Sequence, residues 1–182
     1  MDRITFDIVG INKVMDTLHK FNKQTQIELK EEVGASALKI QSDAKRNAPV
    51  NLGTLRQSIY LNSEIKSEYQ YKFTIGSSAS YAPYIEFGTG GKVLIPKGFQ
   101  SYASQFKGKS KGRFKDMLLA LTEWVQKKGI ASGKQTKSVA YMIAVSILKK
   151  GLRPQPFLIP AFEQEKNKLK ARIEKIIKDA KS

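Results

Sequence analysis

One apolar stripe constrains this chain more than anything else in it. Val14, Leu18, Phe21, Thr25, Leu29, Val33, Ala37, Ile40 and Ala44 recur every three or four residues. That spacing puts all nine on one side of a helix, or of two helices broken near Asn22–Thr25. The pattern ends before Pro49, whose ring disfavours helical backbone in the residue before it. A stripe this long needs a surface to cover it, and the next segment supplies one. Leu55 to Ile65 and Tyr69 to Gly76 read as strands, the second alternating through Tyr69, Tyr71, Phe73 and Ile75, and the link Lys66 to Glu68 suits a hairpin. Arg3 to Val9 alternates too, with Ile4, Phe6 and Ile8 on one side. The expected fold class is therefore α+β: a long N-terminal helix packed on an antiparallel sheet, with additional C-terminal helices.

The C-terminal half is less regular. Tyr81 to Phe87 is an aromatic segment that suits a helical turn, because Pro83 fits an early helical position, and it stops at Gly88-Thr89-Gly90-Gly91. Residues Lys92 to Lys115 are rich in Gly, Ser and Lys and read as a long, flexible basic excursion. Helical spacing returns over Arg113 to Lys127 and Thr136 to Lys149. The run Arg153-Pro154-Gln155-Pro156 must be extended, and Pro160 can open a last helix over about 160–180. No internal repeat is visible. The expectation is one domain over residues 1–182, carrying the excursion at 92–115 and the C-terminal helix.

Charge is large and unevenly placed. The net charge is +16, and between Phe87 and Phe162 fourteen bases face only Asp116 and Glu123, so +12 of it falls there. Such a block calls for solvent, counterions or an anionic partner. The acid-free run Lys92, Lys97, Lys107, Lys109, Lys111 and Arg113 is the candidate for contact with a polyphosphate, DNA foremost. Contact there would be with phosphates and independent of sequence. The start, MDRITFDIVG, lacks the basic end and apolar block of a signal peptide. The longest apolar stretch, about Tyr141 to Leu148, falls far short of the roughly 20 residues that span a bilayer, so a soluble protein with no membrane partner is expected.

Catalytic chemistry finds little footing. There is no Cys and His19 is the only His, so no zinc site of the usual spacing can be assembled. Glu31 and Glu32 are neighbours on a helix and point apart. Gly108-Lys109-Ser110 ends like a phosphate-binding loop, but Ala103 stands where its first glycine belongs. Glu86, among aromatics and beside a glycine turn, is the one acid placed for partial burial, with a salt bridge or a cap on nearby backbone amides as its simplest role. No enzyme activity, catalytic residue, metal or cofactor is expected.

Three segments in order carry a resemblance. They are Ala48-Pro49-Val50-Asn51-Leu52-Gly53-Thr54-Leu55-Arg56-Gln57-Ser58-Ile59; Gly76-Ser77 followed by Tyr81-Ala82-Pro83-Tyr84-Ile85-Glu86-Phe87-Gly88-Thr89-Gly90; and Gly151-Leu152-Arg153-Pro154-Gln155-Pro156-Phe157-Leu158-Ile159-Pro160-Ala161. Together they resemble the gene-product-ten-like tail-component family of lambda-type bacteriophages, also described as a tail-completion or neck group. The resemblance implies a structural virion protein that completes the tail or joins head and tail as a homo-oligomeric ring around the DNA channel. It also implies neighbouring neck and tail proteins as partners, and a place in the virion after assembly in the host cytoplasm. The candidate subunit-interface residues are Tyr81, Tyr84, Glu86, Phe87, Gly88, Pro154, Pro156 and Phe157, which equally suit packing within one chain. The lysine-rich excursion departs from the family's usual look. The alternative function is a small basic nucleic-acid-binding protein without sequence preference.

Overall fold

A computed structural model of the chain describes residues 4–7, 22–49, 53–67, 70–107 and 114–180. It divides into two compact units, one formed by Met1–Glu86 with Pro156–Ser182 and the other by Phe87–Gln155.

The first unit is a sheet covered by helices. Strands β1 (Ile4–Asp7), β2 (Ile59–Ser67) and β3 (Gln70–Ser77) form an antiparallel sheet in the order β1-β3-β2. The register sets Ile4 and Ile59 on either side of Ser77, and a bulge interrupts β2 between Ile65 and Ser67. Helix α1 (Lys23–Asn47) is the predicted stripe made real: Thr25, Leu29, Val33, Ala37, Ile40 and Ala44 are all buried. Val14, Leu18, Phe21 and His19 lie outside the described residues. Asn22 caps the helix, its side-chain oxygen accepting from the Thr25 N–H at 2.9 Å. At the other end Lys45 and Arg46 complement the helix dipole, and Arg56 donates to the Lys45 carbonyl at 2.9 Å.

The α+β fold expected from the sequence is what forms, with one boundary corrected. The first strand of the hairpin begins at Ile59 rather than Leu55, because Thr54–Ser58 closes into a short helix, α2. Leu55 and Ile59 are both buried, and their spacing of four matches one helical turn. The Gln57 N–H donates to the Gly53 carbonyl at 2.8 Å and the Ser58 hydroxyl to that of Leu55 at 2.7 Å. Helix α3 (Ala82–Phe87) follows β3, with Pro83 in its first turn.

The last helix of this unit, α7 (Leu158–Asp179), lies along α1. Leu29 and Val33 meet Leu169 and Ile173, with Tyr71, Phe73, Ile176 and Ile177 packed around them. Beside this apolar seam sits a charge cluster. Glu165 is almost fully buried and is bonded by both Arg172 and the Ser36 hydroxyl, while Arg172 also pairs with Glu32. The two carboxylates hold the Arg172 guanidinium above its already high ordinary pKa, Glu165 contributing most. It therefore stays charged at any working pH.

The second unit has its own core. Phe87 stacks on Phe106 at 5.7 Å between ring centroids, and Tyr102 meets both rings edge-on at 5.6 Å. Tyr102 and Phe106 sit on the short helix α4 (Gln100–Ala103) and the turn of 3-10 helix after it, Ser104–Phe106. Tyr102 and Phe106 of the lysine-rich stretch thus fold back onto Phe87, while residues 108–113 lie outside the described residues. Helices α5 (Phe114–Lys127) and α6 (Gln135–Lys150) pack along each other, burying Val125, Thr136, Ala140 and Ala144.

Removing Arg172 should expose the dependence of the α1–α7 seam on this cluster. Arg172→Met leaves Glu165 buried without its cation, and the loss should be about 2 kcal/mol. That is below the 3 to 5 kcal/mol of a fully buried pair, because Arg172 is partly exposed. Glu165→Gln in the same chain should recover part of it. Urea denaturation of the two variants and the parent checks both statements.

Candidate assembly site

The second and third sequence motifs meet in space, and Glu86 is the residue that joins them in the first unit. Its carboxylate is fully buried. One oxygen accepts from the backbone N–H groups of Phe157 and Leu158, at 2.8 and 3.0 Å, and the other from that of Ile159, at 2.8 Å. These three donors stand at the start of α7, where a helix leaves its first four N–H groups without partners. The fourth position is Pro160, which has no N–H. A carboxylate from 71 residues earlier in the chain and one proline thus account for every orphan donor of this helix end. Phe157, in the capping position, offers no side-chain bond of its own.

Burial pushes the Glu86 carboxyl above the ordinary carboxylate range, and the three backbone donors pull it back only in part. The helix start favours the charged form for the same reason that it binds anions.

In the second unit the same two motifs interlock through backbone. The Thr89 N–H donates to the Leu152 carbonyl at 3.0 Å, and the Leu152 N–H donates to the Thr89 hydroxyl at 2.8 Å. Gly88 and Gly151 make this approach possible. Both have positive φ, 75° and 74°. A Cβ on Gly88 would lie 2.6 Å from the Leu152 carbonyl oxygen and 2.9 Å from the Pro154 ring. A Cβ on Gly151 would overlap the Thr89 carbonyl oxygen. Only glycine satisfies both the backbone angle and the space.

The candidate interface residues therefore divide. Glu86, Phe87, Gly88 and Phe157 are buried within the chain. Tyr84, Pro154 and Pro156 are half-buried, and Tyr81 is exposed, its phenol raised in pKa by the part that is covered. Of the candidate channel residues, Lys92, Lys97 and Lys107 are exposed, and Lys109, Lys111 and Arg113 lie outside the described residues. The acid-poor block coincides with the second unit: Phe87–Gln155 carries all fourteen of those bases and both acids. The sequence left Glu86 open between a salt bridge and a cap on nearby backbone amides; it is a cap, but on amides 71 to 73 residues further along the chain. Sequence reasoning missed the Arg172–Glu165–Glu32 cluster, whose members are far apart in sequence. Among the described residues no helix is long and apolar enough to cross a membrane.

With this geometry in view, comparison with known proteins is specific. Residues 12–88 match the family model described as "Bacteriophage HK97-gp10, putative tail-component". This is the family that the three motifs resemble, and the match covers the first motif and nearly all of the second. No curated protein and no solved structure matches the chain.

Replacing the cap should be costly even when the shape is kept. Glu86→Gln has one carbonyl oxygen for three donors and turns its NH2 toward one of them, so a loss of about 2 kcal/mol is expected. The parent's own stability should depend on pH through this group. Its folded pKa lies above the ordinary value of 4.5. Its contribution is therefore complete below that pH and is lost as pH rises through the folded pKa. Denaturation of the parent at several pH values across that interval follows the change. Gly151→Ala should cost more than the roughly 1 kcal/mol of an unfavourable backbone angle, because backbone must also move, and a thermal melt of that variant measures it.

Proposed function

We propose that this chain is a structural, non-enzymatic virion protein of a tailed bacteriophage. In this reading it completes the tail or joins head and tail as a ring around the DNA channel. The match of residues 12–88 to a tail-component family carries the reading. Its partners are then copies of itself and the neck and tail proteins above and below, and its route runs from the host cytoplasm into the virion.

Charge supports the placement around DNA. A net +12 confined to one unit would be repeated around the axis by every copy in a ring, so contacts that are weak singly would add up. Lysines suit such a passage better than an arginine clamp, because DNA has to move through it and a point charge on a flexible stem does not hold phosphate in two-point geometry. The same charge favours the second reading, a free basic protein that coats nucleic acid. The two differ in whether the chain is a stoichiometric part of the particle.

Particles assembled without the chain should show unjoined heads and tails or tails of irregular finish by negative-stain microscopy, with infectivity lost. Intact infectious particles would contradict the virion role and favour the free nucleic-acid binder. Lys92, Lys97, Lys107, Lys109, Lys111 and Arg113 are proposed to face the passage. Changing all six to Gln should weaken DNA binding by the assembled protein. It should also flatten the salt dependence by about 0.9 in the log–log slope for each phosphate that is no longer neutralised. Equal affinity and slope in the two proteins would remove these residues from the DNA.

A further inference from the structure

Helices α5 and α6 pack along each other and are joined by the turn 128–134, so the end of one and the start of the other share a tip. The turn is held by its own hydrogen bonds. Gly129 closes α5 with a positive φ of 66°, and the Ile130 N–H donates to the Val125 carbonyl at 3.1 Å. The buried Thr136 hydroxyl donates to the Ala131 carbonyl at 3.2 Å. This tip carries Lys127, Lys128, Lys134 and Lys137, all exposed. Among the described residues none of the four forms an ion pair. No acid occurs in the chain from Trp124 to Phe162.

Folding accounts for one pair of these charges and not for the other. Lys127 and Lys128 stand at the C-terminal end of α5, where a cation complements the helix dipole. Lys134 and Lys137 stand at the start of α6, where a cation opposes it. The first turn of α6 has no acid, and its start has no side-chain cap. Packed helices have axes about 8 to 10 Å apart, so the two pairs face the same solvent at close range. Four like charges that the fold does not need, and that no described acid relieves, form a surface that an outside anion would stabilise.

The rest of the tip selects among anions. Ile130 is the one large apolar side chain between Gln126 and Ser138, half-exposed among Gly, Ser and Gln. That is no apolar centre for a protein interface or a lipid surface. No aromatic residue occurs between Trp124 and Tyr141, so the tip offers nothing for unpaired bases to stack on. What remains is point charges on flexible stems, mounted on ordered helix ends. They match a duplex backbone, which presents one negative charge per about 1.7 Å of its axis. We propose that this tip contacts the phosphate backbone of double-stranded nucleic acid without reading its sequence. The contact rests on the reading that the second unit meets nucleic acid. It adds to the six residues named above a contact mounted on helix ends.

The test is fluorescence anisotropy of the full chain with short DNA duplexes of unrelated sequence, over a salt series. One variant carries Lys127→Gln, Lys128→Gln, Lys134→Gln and Lys137→Gln, and a second has the same four changed to Arg. A third removes equal charge from exposed positions of α7, by Lys166→Gln, Lys168→Gln, Lys170→Gln and Lys175→Gln. The tip Gln variant should bind at least about tenfold more weakly near about 0.1 M salt, and its log–log slope should fall by about 0.9 for each lysine that had met a phosphate. The loss should be the same on every duplex. The Arg variant should keep the parent's slope, and the α7 variant should bind close to the parent. The tip Gln variant should also melt no lower than the parent, since two of its lysines oppose a helix dipole. A clear drop in melting would overturn the premise that folding does not use these charges. Parent-like affinity and slope in the tip Gln variant would overturn the contact and leave the six-residue reading standing. Equal losses in the tip and α7 variants would overturn it too, because net charge alone would then bind. Loss on one duplex sequence only would overturn the backbone assignment. A parent that binds no duplex would overturn this contact and the DNA reading together.

Discussion

The start of α7 depends on one carboxylate. Three backbone N–H groups in a dry interior cost several kcal/mol if left without acceptors. Glu86 satisfies all three with two oxygens, and Pro160 removes the need for a fourth. Once the cap is made, α7 is fixed where it can lie along α1, and the Leu29–Val33–Leu169–Ile173 seam can close. The charge cluster around Arg172 then has its geometry, since Glu165 and Arg172 come from α7 and Glu32 and Ser36 from α1. A local hydrogen-bonding requirement is thereby tied to the packing of the longest helices in the chain.

Proline and glycine have specific physical duties in this arrangement. Pro160 suits the first helical turn because its missing donor is one that would otherwise go unmet. Gly88 and Gly151 let two loop segments approach to backbone contact, closer than any Cβ allows. The motifs that bear the family resemblance are therefore explained, in large part, by the demands of folding one chain. Lys92, Lys97 and Lys107 of the second unit stay exposed, outside these packing contacts.

How much of this was legible in the sequence depended on the range of the interaction. The buried side of α1 was readable from Thr25 to Ala44, because a period of 3.6 is a local property. The alternation of Tyr71, Phe73 and Ile75 marked β3 for the same reason. Leu55–Ser58 reads as strand but is helix, since so short a helix shows no period and Leu55 and Ile59 fit either pattern in isolation. The packing of Tyr102 and Phe106 on Phe87 was hidden by the surrounding Gly, Ser and Lys, whose composition suggests an open loop. Glu86 was recognisable as a buried acid from its aromatic neighbours, yet its donors lie at Phe157 to Ile159, and nothing local points across that distance. The concentration of charge was visible at once, and its coincidence with a separate compact unit emerged only in three dimensions.

The most direct test of this account is amide hydrogen exchange at Phe157, Leu158 and Ile159, residue by residue, in the parent and in Glu86→Gln. The account predicts that these three amides in the parent exchange as slowly as the core of α1, because they are bonded and dry. In the variant at least one of them should exchange much faster while Val33, Ala37 and Ile40 stay protected. Fast exchange at all three in the parent, or identical protection in the two proteins, would contradict the claim that the Glu86 carboxylate holds the start of the last helix.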